Sequence, residues 1–452
     1  MLDLSIDTGI ATLQSCSNNP DRGIEGSSVQ DRGSIEAAQL ARLRGLLQEL
    51  TAGNRFYASR LRGAGLCSEV PTLDAFRSSM PFTQKAELVE DQRRHPPYGS
   101  NLSYRLERYT RFSRTSATTG KPMHWLDTPE SWQWMLDNWD RVFAAAGVSS
   151  RDRVFFAFSF GPFLGFWTAF EAASKRGCLC IPGGGMNSSA RLEAILENDV
   201  SVLCCTPTYA LRLGEVAAEE GLELSRGSVR TVLVAGEPGG SIGATVTAIK
   251  RLWPKARVVD HHGMTETGPV SYGCPRESHR LHVMESAFFA EVINPGDHRP
   301  VAPGEVGELV LTTLGRTGSP LLRYRTGDLV RPSRSQPCAC GSWELGLEGG
   351  ILGRSDDMVV VRGVNLYPGA VESVIRRCRE VAEYRVEVDT RGTLCELKVQ
   401  AEVSCDPVDG PRLERRLETE LRSAFALRIP VSIVARGTLP RPEFKSNRWV
   451  RV

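Results

Sequence analysis

Short apolar runs alternate with longer amphipathic stretches from residue 128 to residue 260, and this alternation constrains the fold more than any other feature. Buried strands are predicted for the runs RVFFAFSF, CLCIPG, VSVLCCTP, VRTVLVAG and ARVVDHHG. Helices are predicted for the stretches TPESWQWMLDNWDRVFAAAG, FWTAFEAASKRG, SARLEAILEND, TYALRLGEVAAEEG and IGATVTAIKRLW. Because parallel strands need crossover connections, the alternation predicts an α/β fold built around a largely parallel sheet.

The chain divides into segments of different composition and predicted secondary structure, and its 452 residues are enough for two or three structural units. Residues 1–34 are predicted to be a disordered N-terminal segment, since SCSNNPDRGIEGSSVQDRGS is polar and rich in glycine and serine. Residues 35–354 are predicted to form a large domain of layered, mostly parallel sheets and helices, with a β-rich subdomain at about 285–352. Residues 355–452 are predicted to form a small, mobile α+β domain, with VESVIRRCREV and LERRLETELRSAF as helices and CELKVQAEV and VSIVARG as strands.

Composition excludes several classes of function. Hydrophobic residues make up 41% of the chain and charged residues 24%, with a net charge of +2, so no basic excess favours a nucleic-acid partner. No apolar run reaches about 18 residues, so no membrane span is expected. The N-terminus MLDLSIDTGIATLQ lacks the basic and apolar regions of a secretory signal. A cytoplasmic location is therefore expected, with the twelve cysteines reduced.

Chemistry-bearing residues are concentrated in a series of turns. TSATTGKP, from Thr115 to Pro122, offers hydroxyls, a glycine and a lysine to a phosphate chain, although it is not a Walker loop. VLVAGEPGG and DHHGMTETG each end a predicted strand, where ligands bind in open α/β sheets. LLRYRTGDLV, GRSDDMVVVRGVNLYP and LPRPEFKSNRW follow. Each turn alone is unspecific, since an isolated aspartate in a turn usually caps the backbone.

Together, and in this order, these stretches resemble the adenylate-forming superfamily of acyl-CoA synthetases and adenylation domains. The resemblance covers residues from about 40 to the C-terminus. CTPTYAL, RGVNLYP and LPRPEFKS resemble the phenylacetate–CoA ligase branch in particular. The resemblance implies activation of a small carboxylic acid by ATP to an acyl-adenylate and pyrophosphate, followed by thioester formation with CoA.

The resemblance also implies a nucleotide site. The loop TSATTGKP would close over the β- and γ-phosphates through Ser116, Thr118, Thr119, Gly120 and Lys121. The backbone of Gly236, Glu237 and Pro238 would flank the adenine, and the same site would include His262, Gly263 and Arg354. Asp328 would accept hydrogen bonds from the ribose hydroxyls, since an ionised carboxylate is only an acceptor.

Three residues would carry the chemical step. Thr265 would contact the α-phosphate, and Glu266 would hold the Mg²⁺ that neutralises the triphosphate. Lys445 would bridge the substrate carboxylate and the α-phosphate as pyrophosphate leaves. Two departures from the family pattern bear on this site. Ala117 replaces a usual glycine, and His262 stands where a tyrosine commonly stacks on adenine, so altered ATP binding is expected.

The stretch from Gly353 to Pro368 resembles the hinge of the family. Asp356 would be the pivot about which the small domain rotates between adenylation and thioester formation. The rotation would bring a face near Gly363 to line the channel for the thiol. Replacement of Asp356 by proline is therefore expected to separate the two half-reactions.

A Cys₃His set with the ligand count of a tetrahedral zinc site lies away from the chemistry. It comprises Cys274, Cys338 and Cys340 with either His279 or His282, and the sequence leaves the choice of histidine open. Some relatives in the phenylacetate–CoA ligase branch resemble this pattern and bind a structural zinc. Two exposed loops carrying free thiols are the alternative interpretation.

The acid and its acceptor stay open at this stage. Aromatic walls are predicted for the acyl pocket from Phe163, Phe166, Trp167 and Tyr209, which favours an aromatic or apolar acid unless these rings only pack helices. The acceptor could instead be a separate carrier protein, an amine or another nucleophile. A catalytically inactive nucleotide-binding homologue is a further alternative, although it would not need Glu266, Asp328 and Lys445 together. A homodimer is compatible with the sequence.

Overall fold

The computed structural model describes residues 31–66, 68–115, 122–334, 337–362, 364–391, 395–403, 409–441 and 448–452. Four helices come first: α1 (Arg32–Gly53), α2 (Arg55–Gly63), α3 (Leu73–Ser79) and α4 (Lys85–Arg94). Helix α1 begins three residues before the expected domain start at residue 35, because the Asp31 side chain caps it by accepting the Ser34 N–H. The rest of the expected disordered segment, residues 1–30, lies outside the described residues.

The predicted parallel sheet is confirmed. The next elements are β1 (Arg111–Arg114), β2 (His124–Asp127), α5 (Pro129–Ala145), β3 (Arg153–Phe156), α6 (Trp167–Lys175), β4 (Leu179–Pro182), α7 (Ser188–Glu197), β5 (Val202–Cys205), α8 (Pro207–Glu219), β6 (Thr231–Val234), α9 (Gly243–Leu252) and β7 (Arg257–Asp260). Strands β1 and β2 form an antiparallel pair. All strands in the order β4-β3-β5-β6-β7 are parallel. Each run predicted as a buried strand is one of these five, but β4, from CLCIPG, lies at the edge of the sheet and is partly exposed, so the prediction of burial was wrong there.

Helices cover both faces of this sheet. Alternate strand residues point to opposite faces, so Phe156 and Cys204 pack with α5 and α6, whereas Phe155 and Cys205 pack with α7, α8 and α9. The cysteines of β5 are therefore buried core residues. Coverage on both faces explains why the central strands are mostly apolar instead of alternating.

Short strands follow the parallel sheet. They are β8 (Gly263–Met264), β9 (Gly268–Pro269), β10 (Ser271–Gly273), β11 (Arg280–Val283), β12 (Phe288–Ile293), β13 (Gly307–Thr313), β14 (Tyr324–Val330), β15 (Gly346–Glu348) and β16 (Gly353–Arg354). They form antiparallel sheets in the orders β10-β11-β15 and β12-β13-β14-β16, with β8 paired to β9. The β-rich part thus begins near residue 263, before the expected 285, because β10 pairs with β11 and β11 pairs with the distant β15.

The last elements form a separate sheet with its own core. They are β17 (Val359–Val361), β18 (Val364–Leu366), α10 (Pro368–Ile375), β19 (Val381–Asp389), β20 (Glu396–Val403), α11 (Gly410–Phe425), β21 (Val431–Val434) and β22 (Trp449–Arg451). The sheet order is β21-β20-β19-β22, and α10 and α11 pack on it. The helix predicted through Val381 was too long, since α10 ends at Ile375 and Val381 begins β19. Among the described residues, no helix is both long and apolar enough to cross a membrane.

Candidate active site

Two turns at the carboxyl ends of β6 and β7 lie side by side. Gly236 follows β6 with a φ of 93°, a conformation that favours glycine. Glu237 accepts a 2.8 Å hydrogen bond at Oε1 from the Thr208 N–H in the first turn of α8. After β7, burial raises the pKa of Asp260 to about 6, and its Oδ2 accepts a 2.6 Å hydrogen bond from Ser241. The predicted GEP and HHGMTE turns therefore share one sheet edge, where α/β folds bind ligands.

Asp328 joins two other residues that the sequence assigned to the nucleotide. It lies on β14 and is only 5% exposed. Its Oδ2 is 3.0 Å from His262 Nε2, and its Oδ1 is 3.2 Å from Arg354 Nη1. With Nε2 donating to the carboxylate, Nδ1 of His262 is left as an acceptor. Within the described residues this buried Nδ1 has no hydrogen-bond partner, so the pocket holds one unsatisfied polar atom.

Arg354 also connects Asp328 to the predicted hinge. Its Nε and Nη2 donate to the two Asp356 carboxylate oxygens at 2.8 and 3.1 Å. Burial raises the pKa of Asp356, but the hydrogen bonds and charge of Arg354 outweigh it and hold that pKa below its ordinary value. Asp356 lies between β16 and β17, where the large domain ends and the small one begins. A single guanidinium thus touches both a candidate ribose ligand and the candidate pivot.

The Thr265–Glu266 turn is held by a buried ion pair that the sequence did not reveal. Arg316 Nη1 donates to the backbone carbonyls of Thr265 at 2.7 Å and Glu266 at 2.8 Å. The same guanidinium makes two 2.7 Å hydrogen bonds to Asp127 and lies 5.3 Å from the Trp125 ring centroid. Asp127 ends β2, the strand that follows the TSATTGKP loop. The pair therefore ties the strand after the phosphate loop to the turn that carries Glu266.

Glu266 is the buried carboxylate of this turn. Its Oε1 lies 3.2 Å from Nζ of Lys85, which is half exposed at the start of α4. Nothing in the sequence distinguishes Lys85, because a lysine in the first turn of a helix is common on surfaces. A carboxylate oxygen is the kind of ligand that a hard metal cation takes, and a cation bound there would have to displace or share Oε1 with Lys85.

Seven predicted site residues lie outside the described residues: Ser116, Thr118, Thr119, Gly120, Lys121, Gly363 and Lys445. The ends of their segments are described. Thr115 accepts a 3.0 Å hydrogen bond from the Met123 N–H, and its own N–H donates to the Met123 carbonyl, so the two ends of the TSATTGKP loop are joined. Arg441 and Arg448 stand on either side of the segment that contains Lys445.

The four predicted pocket aromatics fall into two environments. Phe166 and Tyr209 are buried in hydrophobic cores, with Phe166 edge-on to Phe158 and the Tyr209 hydroxyl 3.0 Å from Ser188. Phe163 is partly exposed, and Trp167 is exposed and donates through Nε1 to the Gly161 carbonyl at 3.0 Å. Only the second pair presents ring surface outside the packed core.

Cys274, His282, Cys338 and Cys340 form a compact cluster whose ligand atoms all lie within 4.8 Å of one another. The Cys274 and Cys338 sulfurs are 3.7 Å apart, and Cys340 Sγ is 3.5 Å from His282 Nε2. Tetrahedral zinc with bonds of about 2.3 Å to sulfur and about 2.0 Å to nitrogen requires separations of about 3.8 and 3.5 Å. The donor set therefore fits the metal.

His282, not His279, belongs to this cluster. Strand β11 places His282 inside the sheet, where its Nδ1 lies 3.4 Å from the Glu344 carbonyl oxygen, whereas His279 is exposed just before the strand. Burial raises the pKa of Cys340 to about 12, and the neighbouring Cys338 and Cys274 add to the shift. The Cys340 thiol would therefore be protonated without a cation beside it, and metal binding there would release its proton.

Comparison with known proteins agrees with this geometry. A family model described as AMP-binding enzyme matches residues 113–315, and one described as AMP-binding enzyme C-terminal domain matches residues 363–451. The chain is 29% identical to the phenylacetate-coenzyme A ligase of Escherichia coli (strain K12) over 94% of this chain and 96% of that one. It is 32% identical to the phenylacetate-coenzyme A ligase of Thermus thermophilus over 82% of each chain.

Solved structures of one CoA ligase distinguish two arrangements. The 2-hydroxyisobutyryl-CoA ligase in its postadenylation state, with an acyl-AMP bound, matches with a TM-score of 0.88, 25% identity and coverage of 94% of this chain and 91% of that one. The same ligase in its thioesterification state, with 2-HIB-AMP and CoA, matches with a TM-score of 0.70 at the same identity and coverage. The chain is thus more similar in structure to the postadenylation form of that ligase than to its thioesterification form. The predicted resemblance is confirmed: the chain belongs to the adenylate-forming AMP-binding enzymes, in their phenylacetate–CoA ligase-like branch of acid–thiol ligases.

Proposed function

We propose that this enzyme joins a carboxylic acid to ATP, forming acyl-AMP and releasing pyrophosphate, and then transfers the acyl group to the thiol of CoA, releasing AMP. The observation that carries the proposal is the convergence of Asp328, His262 and Arg354 beside the Thr265–Glu266 turn, at the sheet edge where nucleotides bind. The relatives named as CoA ligases support the same chemistry.

The nucleotide would be oriented by groups of fixed position. Asp328 would accept hydrogen bonds from the ribose hydroxyls while Arg354 and His262 hold its carboxylate in place. The Gly236–Glu237–Pro238 turn would flank the adenine. The unpartnered Nδ1 of His262 is an acceptor available to a ligand donor in the same pocket.

The chemical step would proceed without covalent attachment to the protein. A carboxylate oxygen of the acid attacks the α-phosphorus, and the bond to the leaving pyrophosphate breaks. Thr265 would contact the α-phosphate, the TSATTGKP loop would hold the outer phosphates, and Lys445 would stabilise the charge that develops between acid and phosphate. Glu266 would hold Mg²⁺, which supplies charge neutralisation on the triphosphate when bound.

Pyrophosphate release from a panel of acids tests this function. The panel contains phenylacetate, benzoate, 2-hydroxyisobutyrate and straight-chain acids, each with ATP and Mg²⁺. Acid-dependent release is expected, and Lys445→Ala should lower it by about 10²- to 10³-fold, as loss of one charge-stabilising donor does. Lys398→Ala, an exposed lysine of the same domain, serves as the control. ATP binding without release for any acid would instead favour an inactive nucleotide-binding homologue.

We propose an aromatic or otherwise flat, apolar acid as the substrate. The exposed ring surface of Trp167 and the neighbouring Phe163 supports this choice, as does the substrate in the names of the phenylacetate-coenzyme A ligases. A preference for 2-hydroxyisobutyrate over phenylacetate in the panel would overturn it. CoA, a phosphopantetheinyl carrier protein and candidate amines offered in parallel identify the acceptor, and product with CoA is expected.

The small domain would rotate about Asp356 between the two half-reactions, bringing the face near Gly363 to the thiol channel. Asp356→Pro is expected to preserve acyl-AMP formation and to lower acyl-CoA formation, because proline restricts the backbone at the pivot. An unchanged rate of acyl-CoA formation would contradict the hinge assignment.

We also propose that Cys274, His282, Cys338 and Cys340 hold a structural Zn²⁺. The fit of their separations to tetrahedral coordination supports this proposal. Arg280 donates to Cys338 Sγ at 3.2 Å and would stabilise the thiolate form. Metal analysis of protein purified without added zinc should give one zinc per chain.

A further inference from the structure

Helix α8 of the large domain presents one polar face to the small domain. Thr208, Glu215 and Glu219 are spaced seven and four residues apart, which places their side chains on the same side of the helix. The helix begins at the nucleotide site, since the Thr208 N–H donates to Glu237. A part of the small domain that docks on this face is therefore held at a fixed position relative to the Gly236–Glu237–Pro238 turn, which is proposed to flank adenine.

Arg441 of the small domain reaches this face. Its Nη2 and Nη1 donate to the Glu402 carboxylate at 2.5 and 3.1 Å, and its Nε lies 3.3 Å from Glu215 Oε2. Burial raises the pKa of Glu402, but Arg441 and the Gly437 and Leu439 N–H groups outweigh it and hold that pKa below its ordinary value. The guanidinium is thus fixed by its own domain before it meets α8.

Arg448 is arranged in the same way. Its Nε and Nη2 donate to the Glu383 carboxylate at 2.5 and 3.0 Å, and its guanidinium lies 5.1 Å from the Tyr384 ring centroid. Its Nη1 donates to Thr208 Oγ1 at 3.3 Å. This arginine is buried, so the contact with Thr208 is shielded from water.

These two arginines stand at either end of residues 442–447, the segment that contains Lys445. Each is anchored by a carboxylate of the small domain and contacts α8 of the large domain. We propose that Arg441 and Arg448 are positioning residues that dock the small domain on α8 in the orientation used for acyl-AMP formation. The contacts with Glu215 and Thr208 cross the domain boundary, so they exist only in an orientation like this one. The inference rests on the proposed function, which makes Lys445 the group that needs positioning.

The test changes the large-domain side of the contacts and leaves both arginines with their small-domain partners. Glu215→Gln should slow single-turnover acyl-AMP formation about twofold to fivefold, the effect of losing a partly exposed ion pair. Thr208→Val should slow it about tenfold, the effect of losing a hydrogen bond to a charged group. The acid is the one that gives the fastest pyrophosphate release in the panel.

The rate of the second half-reaction distinguishes positioning from a merely structural role, because a structural defect would slow both half-reactions. With the synthetic adenylate of the same acid and CoA, acyl-CoA formation by both variants should equal that of the wild type or exceed it. Glu193→Gln on α7, an exposed glutamate with the same charge change, should alter neither half-reaction. Equal slowing of both half-reactions, or of neither, would overturn the docking proposal while the wild-type activity upholds the proposed function. If Thr208→Val melts early, Glu215→Gln alone decides, since its side chain is at the surface of α8.

Discussion

The Arg316–Asp127 ion pair inside the large domain and the ion pairs between the domains differ in burial. Arg316 and Asp127 are both 0% exposed and joined by two hydrogen bonds of 2.7 Å. Between the domains, Arg441 and Glu215 are 20% and 24% exposed, and Arg436 and Glu219 are 52% and 42% exposed. Arginine–carboxylate pairs thus occur both fully buried and partly exposed to water in this protein.

This difference in burial separates fixed parts of the site from movable ones. Leaving one member of a buried pair alone costs about 3–5 kcal/mol, because a charge remains in the interior without compensation. An exposed pair contributes only about 0.2–1 kcal/mol. The Arg316 pair therefore holds the Thr265–Glu266 turn in place, whereas the interdomain pairs are weak enough to break and re-form in the proposed rotation of the small domain.

Substitution of Arg316 is expected to have the largest effect on stability of all the tests of this difference in burial. Arg316→Met should lower the free energy of unfolding by about 3–5 kcal/mol, because it strands Asp127 and releases the carbonyls of Thr265 and Glu266. Urea denaturation measures the loss, with the exposed Arg151→Met as the control. A loss below about 1 kcal/mol would place this pair in the same class as the surface pairs.

A double variant separates stability from positioning. Asp127→Leu with Arg316→Met removes both buried charges and should recover much of the lost stability, as apolar replacement of buried pairs often does. Acyl-AMP formation should stay low in the double variant, because the Thr265 and Glu266 carbonyls still lack their donor.

Removal of the proposed zinc is expected to have the next largest effect, and it concerns the cluster of three cysteines and His282. Zinc at 100–1,000 times its dissociation constant contributes about 2.7–4.1 kcal/mol to stability. Chelation, or Cys338→Ser, should therefore lower the free energy of unfolding by about that amount, measured with zinc content in the same samples. Cys395→Ser, outside the cluster, should change neither zinc content nor stability. A Cys338→Ser protein with wild-type zinc content would contradict the ligand assignment.

The sequence predicted most of the fold but not these long-range pairs. Runs such as VSVLCCTP are apolar and short, so they identify buried strands without knowledge of their neighbours. Strand β19 was missed because VAEYRVEVD follows a helical stretch directly and alternates apolar with charged residues. Asp127 and Arg316 are 189 residues apart, and nothing local to either indicates its partner. Likewise, the choice of His282 over His279 depends on the pairing of β10 with β11, which brings His282 to the cysteine cluster.

The proposed nucleotide pocket lies between these extremes of burial, since its His262–Asp328 pair is largely buried but would have to admit a ligand. His262→Ala should raise the KM for ATP about tenfold, because Asp328 loses a charged-group hydrogen bond and the adenine loses a flat neighbour. The turnover number should change less than KM. His95→Gln, on an exposed histidine, is the control. An unchanged KM would mean that His262 only fills the core.

The smallest effect is expected at the most exposed pair. Glu219→Gln should change the free energy of unfolding by less than about 1 kcal/mol, because the side chains of Arg436 and Glu219 are half exposed to water.

High salt should also weaken the exposed ion pairs between the domains of the wild type, since the screening length falls to about 3 Å at 1 M. Salt should therefore lower acyl-AMP formation less in the Glu215→Gln variant than in the wild type, and the Arg316 pair should be insensitive to it. An equal salt effect on both proteins would show that the Glu215 contact does not supply the movable charge pair between the domains.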